Sequence, residues 1–142
     1  MRDGPPRKRA ACLPQPPGHR LPGYHVETNT QRIGKLDYQV RALADRRQYF
    51  DPDGDAERAG VTPASWPLFG VLWPAGIALA EEMAAIPIAG RRILEVGCGL
   101  GLASLVLAGR GADITASDHH PLAEAFMRHN TDLNDMAPIP FC

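Results

Sequence analysis

The stretch RRILEVGCGLGLAS, residues 91–104, restricts this chain more than any other. A short apolar run, Arg92 to Val96, is followed at once by glycines at alternate positions, Gly97, Gly99 and Gly101, and then by an apolar run of helical length, 100–110, ended by Gly111. Residues 112–117 (ADITAS) form a second β-like run closed by Asp118, and 121–135 return to helical spacing with Leu122, Ala125, Phe126 and Leu133 on one face. Strands joined through a helix-length crossover have to run parallel, so the pattern predicts an α/β sheet, with 92–96 as a buried strand. In such sheets ligands bind beyond the carboxyl ends of the strands, and a strand-to-helix turn without side chains lets a ligand lie against bare backbone beside free N–H groups.

Upstream, Pro74 suits a first helical turn, and Ile77, Ala80, Met83 and Ala84 share one face, which predicts a helix ending before Pro87. Residues 24–43 carry β-branched residues and the alternation Leu36, Tyr38, Val40, interrupted by Gly34-Lys35, as a β-hairpin would. The alternating Asp51, Asp53 and Asp55 resemble the start of a calcium loop, but Ala56 and Thr62 stand where its turn glycine and bidentate glutamate belong. That stretch is expected to be a solvated loop. Residues 1–23 hold six prolines and three glycines without periodicity and are expected to form a mobile tail; Arg7-Lys8-Arg9 is too short a basic run for a nucleic-acid patch. The expected divisions are thus a tail (1–23), a hairpin and loop (24–65), and an α/β unit (66–142).

Bulk properties narrow the partners. Fifteen Lys and Arg against sixteen Asp and Glu leave a net charge of −1, a poor match for a chain that grips phosphate backbones. Cys12, Cys98 and Cys142 form neither a disulfide framework nor a zinc site. No apolar run approaches the roughly 20 residues of a membrane span, and the basic N-terminus has no secretory apolar segment. The expectation is a soluble cytoplasmic protein with no metal, no nucleic acid and no membrane partner. Its oligomeric state is not readable.

The glycine spacing separates two ligand classes. A dinucleotide turn, G-x-G-x-x-G, needs a third glycine at 102, which is Leu102. The spacing is instead Glu-x-Gly-x-Gly-x-Gly, and Glu95 would repel a pyrophosphate while facing a cationic group, directly or through water. Asp118 closes the next strand, where a carboxylate can accept from both hydroxyls of a ribose; it can equally cap the helix that begins at Pro121. Trp73 is either a core aromatic beside Pro74 or part of a pocket wall. Cys98 is placed to supply a backbone N–H and a small side chain to the turn, with no histidine spaced to activate its thiol. His119 and His120 are adjacent and would point apart. Asn130 and Asn134 share a helix face and look like surface or capping groups.

Glu95-x-Gly97-x-Gly99-x-Gly101 resembles motif I of the class I S-adenosylmethionine-dependent methyltransferases. With LWPAGIALAEEM ahead of it and SDHHPLAEAFMRHNTDLN behind, residues 66–142 resemble their lysine-methyltransferase-like group, in the nicotinamide N-methyltransferase-like superfamily. Members methylate lysines on chaperones, on an AAA-type ATPase and on an electron-transfer flavoprotein subunit. The resemblance implies a Rossmann-like three-layer αβα fold of which this is the N-terminal part, with S-adenosyl-L-methionine as cofactor and a protein lysine or similar amine as acceptor. It assigns Gly97, Cys98 and Gly99 to the methionine portion, Asp118 to the ribose and Trp73 to the pocket wall, with Glu95 and Gly101 shaping the turn. The same scaffold also serves small-molecule methyltransferases, and a non-catalytic remnant that binds cofactor or a partner protein is the alternative outside enzymology. The family's sheet has seven strands, and only two and the start of a third fit within 142 residues. The chain is therefore expected to be C-terminally truncated and to bind cofactor weakly unless a partner completes the sheet. No catalytic base for deprotonating a lysine is identifiable.

Overall fold

A computed structural model describes residues 23–142 of the chain, so the expectations for the tail, its basic triplet and Cys12 fall outside the described residues. The elements are β1 (Val26–Ile33), β2 (Leu36–Leu43), a short α1 (Asp55–Arg58), a 3-10 turn (Trp66–Gly70), α2 (Pro74–Met83), β3 (Arg92–Val96), α3 (Leu102–Gly109), β4 (Asp113–Ser117) and α4 (Ala123–Leu133). β1 and β2 form the expected antiparallel hairpin across Gly34-Lys35, with Ile33 opposite Leu36 and Val26 opposite Leu43. The alternation holds on β2, where Tyr38, Val40 and Ala42 are buried, while Leu36 stands exposed beside the turn.

β3 and β4 pair in parallel, Arg92 with Asp113 through Val96 with Ser117, and α3 crosses between them. A third parallel segment starts along the other side of β4. Phe141 bridges to Ala116, whose N–H donates to Pro140 O and whose carbonyl accepts from Cys142 N. The architecture is α/β with a parallel pair preceded by a hairpin, as the pattern predicts.

β3 itself departs from expectation. Ile93 and Glu95 turn inward, but Leu94 is 59 % and Val96 77 % exposed. Apolar content alone pointed to burial on both faces. In this structure α3 covers only one face of the parallel pair, and the side chains that alternate away from it are left to solvent.

The core holds the hairpin to the parallel unit. Trp66 is 1 % exposed and sits edge-to-face with Tyr24, Tyr49, Phe69 and His120 at ring separations of 5.7 to 6.0 Å. Phe126 of α4 closes the cluster, 5.0 Å from Phe69. Arg110, just beyond α3, donates to Met83 O and Ile86 O and so satisfies carbonyls at the end of α2 that have no helical partner. The Asp51 carboxylate accepts from Ala56 and Glu57 N–H and caps α1, a turn of helix inside the stretch expected to be loop.

Asn130 is the second departure. It is not a surface group but completely buried, whereas Asn134, half-buried, is the C-cap residue of α4 and its Nδ2 also donates to Asn130 O at 2.7 Å. Asn130 Oδ1 accepts from Arg41 N at 2.8 Å and its Nδ2 donates to Leu100 O at 3.0 Å. Asn134 Oδ1 accepts from Gln39 N at 2.9 Å and Nδ2 donates to Gln39 O at 2.8 Å. Spaced one helical turn apart, the two amides do for β2 what a neighbouring strand would do. Side-chain amides complete the backbone hydrogen bonds of its outer edge.

Candidate functional site: a cavity over the glycine turn

The carboxyl ends of β3 and β4 open on a cavity of about 520 Å³, within the usual range for small-molecule sites. All seven residues singled out in the sequence line it: Trp73, Glu95, Gly97, Cys98, Gly99, Gly101 and Asp118.

The three glycines have φ of 66°, 52° and 75°, the left-handed region in which a Cβ is strained. They differ in what a side chain would meet. At Gly97 a Cβ would point into open space. At Gly99 it would lie 2.7 Å from the backbone oxygen of Phe69, and at Gly101 2.0 Å from Met127 Cε. Gly99 and Gly101 thus let the turn pack down on the protein, whereas Gly97 keeps the backbone bare on the cavity side.

Part of the turn's hydrogen bonding is internal. Cys98 N donates to Ser117 O, extending the β3–β4 ladder, and Gly101 N donates to Cys98 O. Cys98 therefore offers the cavity a small side chain and not its N–H. Burial, followed by the charges of Glu95 and Asp118, pushes its thiol pKa up to about 12, so no thiolate is available as a nucleophile at neutral pH.

Asp118 is aimed at the turn. Oδ2 accepts from Gly99 N at 2.8 Å, and Oδ1 accepts from His120 N at 2.9 Å. The carboxylate fastens the turn after β3 to the turn after β4, and each oxygen retains a further lone pair. It does not cap α4, whose start has no side-chain cap. Glu95 is tied differently: its Oε2 accepts both the main-chain N–H of Ser104, at 2.9 Å, and the Ser104 hydroxyl. Ser104 was missed in the sequence, although a hydroxyl at the third position of a helix that starts beyond a glycine turn is a signal for such a contact.

Trp73 is not a core aromatic. It is 43 % exposed, precedes α2, and its indole N–H donates to Leu68 O at 2.9 Å, which holds the ring as a wall of the cavity. Among the described residues, neither lysine nor arginine lines the cavity, and two carboxylates do. Among the described residues, no group of three or more His, Cys, Asp or Glu is placed to hold a metal ion, and no helix is long and apolar enough to cross a membrane.

His120 was also missed as a structural element of the site. Its ring stacks on Phe69 at 3.8 Å, its Nδ1 accepts from Leu122 N at 3.2 Å, and its Nε2 is buried without a partner. Burial, only partly opposed by Asp118, lowers its pKa to about 4. The folded state therefore keeps the ring neutral while the unfolded chain protonates near 6.5, so the unfolded state binds more protons in between. Folding stability should be full above about pH 7 and fall by up to about 3 kcal/mol as the pH drops towards 4. Urea unfolding of wild type and His120→Phe at pH 7, 6 and 5 checks this. The variant should lose most of the slope, and equal slopes would contradict the assignment.

No family model matches the chain. It is similar to proteins named electron transfer flavoprotein beta subunit lysine methyltransferase: 35 % identical over 120 residues to that of Xenopus laevis, covering 82 % of this chain and 46 % of the relative. To that of Homo sapiens it is 31 % identical over 122 residues, covering 81 % and 45 %. It is also 36 % identical over 66 residues to the protein N-lysine methyltransferase METTL21A of Danio rerio, covering 45 % and 30 %. The chain spans less than half the length of these relatives. Among solved structures, the Pyrococcus abyssi tRNA (uracil-54, C5)-methyltransferase in complex with S-adenosyl-L-homocysteine overlaps 82 % of this chain and 23 % of its own, with 19 % identity and a TM-score of 0.46, too loose a likeness to carry an argument.

Proposed function

We propose that this chain, homologous over four-fifths of its length to named lysine methyltransferases, carries the cofactor-binding part of an S-adenosyl-L-methionine-dependent methyltransferase whose acceptor is a protein lysine. The observation that carries the reading is the pairing at the strand ends. A turn that presents bare backbone at Gly97 is bonded through Gly99 to an acid from the end of the adjacent parallel strand, inside a cavity that, among the described residues, neither lysine nor arginine lines.

The residues present fit that cofactor. Gly97 leaves room for a ligand against the backbone, and the spare lone pairs of Asp118 suit a vicinal diol. Trp73 supplies a flat apolar wall, and Glu95 a charge of the right sign for an ammonium or sulfonium. When bound, the cofactor supplies an activated methyl group. The protein's own contribution is to position it, to keep water from it and to leave Cys98 unreactive. The acceptor in the relatives' name, an electron transfer flavoprotein beta subunit, belongs to those proteins and is the first substrate to try.

Calorimetric titration with S-adenosylhomocysteine tests the reading. Saturable binding is expected, and Asp118→Asn, which keeps one acceptor oxygen, should weaken it by about tenfold or more, the worth of one charge-assisted hydrogen bond. Transfer of a labelled methyl group to purified electron transfer flavoprotein beta subunit then tests the acceptor. Absence of saturable binding would overturn the proposal.

A further inference from the structure

Glu95 does more in this structure than a helix cap requires. Gly101, the residue before α3, has no side chain with which to satisfy the helix's first N–H groups, and Glu95 reaches across from β3 to do so at Ser104. One oxygen, Oε2, takes both bonds, from the Ser104 N–H and from its hydroxyl. Among the described residues, Oε1 accepts none. Ser104 is fully buried and has no other side-chain partner, so its hydroxyl is committed to this carboxylate.

The surroundings make such support necessary. Asp118, from the end of β4, is a like charge; Cys98 in the turn is a neutral thiol; His120 beyond β4 is neutral; α2 and the residue that precedes it bring only Trp73, Ala75, Gly76 and Leu79 to the cavity. His119 is largely exposed and lies 3.6 Å from Asp118. Burial and then Asp118 raise the Glu95 pKa, while the hydroxyl and N–H of Ser104 lower it. Among the described residues, nothing else lowers it.

We propose that Ser104 is a positioning residue of the cofactor site: its hydroxyl and main-chain N–H fix one oxygen of Glu95, so that the other stands free and charged for the ammonium group of the ligand's amino acid end. This rests on the methyl-donor reading given above. A hydroxyl alone among the helix's first residues makes this possible, since alanine would keep the N–H bond and lose the other. Threonine would keep both.

Two ligands separate positioning from general support of the fold. S-adenosylhomocysteine carries the amino acid end, whereas 5′-methylthioadenosine keeps the nucleoside and the neutral thioether and lacks that end. Calorimetry is run on wild type, Ser104→Ala, Ser104→Thr and Glu95→Gln between about pH 5.5 and 7.5. For S-adenosylhomocysteine, Ser104→Ala should weaken binding about tenfold at the acid end, approaching wild type at the neutral end. Ser104→Thr should restore the wild-type profile. Glu95→Gln, which keeps an acceptor oxygen but no charge, should weaken binding at every pH. Affinity for 5′-methylthioadenosine should be unchanged in all three variants. Equal loss of both ligands, or an Ser104→Ala profile parallel to wild type, would overturn the inference. Wild-type protein that binds neither ligand would instead bring down the methyl-donor reading on which it stands.

Discussion

Gly97→Ala is expected to reduce S-adenosylhomocysteine binding by about 30- to 100-fold while lowering stability by only about 1–2 kcal/mol, the cost of a left-handed alanine. Gly99→Ala should behave in the opposite manner. Both positions have positive φ, so both variants carry the same backbone strain. The added methyl at 97 has nothing of the protein to strike and intrudes on the cavity, so its effect falls on the ligand. At 99 the methyl meets the Phe69 carbonyl oxygen at 2.7 Å, a backbone atom of a residue whose ring is itself stacked on His120. The turn or the 3-10 segment must then shift, for a total loss of about 3 kcal/mol. Thermal unfolding beside calorimetry resolves the two. Were Gly97→Ala to bind normally, the open space above it would not be where a ligand lies.

The second large effect falls far from the cavity. Asn130→Ala should destabilise the chain by about 3–5 kcal/mol, because it strands the Arg41 N–H and the Leu100 carbonyl in a buried setting and leaves a void beside them. Asn134→Ala, at a half-buried position, should cost only about 1–2 kcal/mol. Urea denaturation followed by tryptophan fluorescence reads both, since Trp66 lies at the junction that would loosen. Comparable, small effects from the two would show that the amides do not hold the hairpin.

These contrasts also explain what the sequence could and could not convey. The hairpin, α2, α3 and β4 were legible because their signals are local: period-two and period-3.6 apolar spacing, Gly34-Lys35 between strands, Pro74 at a helix start. The placement of Glu95, Asp118 and the glycines on one cavity was legible because consecutive parallel strands bring their ends together. The roles of Asn130 and Asn134 were not, since their partners lie 89 and 95 residues away on a strand whose open edge no local pattern announces. The exposure of Leu94 and Val96 escaped for a related reason. Whether an apolar strand residue is covered depends on which elements stack on its sheet, and the composition of the strand is silent on that. Ser104 was overlooked because a single serine in an apolar helix start is ordinary until Glu95 is seen opposite it.

The charge of the cavity bears on competition inside a cell. Adenosine triphosphate offers the same nucleoside at high abundance, and a site built on stacking and diol contacts alone would be blocked by it. Here a triphosphate tail would enter a space lined, among the described residues, by two carboxylates and by neither arginine nor lysine. On the proposed function, the two carboxylates that suit a positively charged guest disfavour an anionic nucleotide tail.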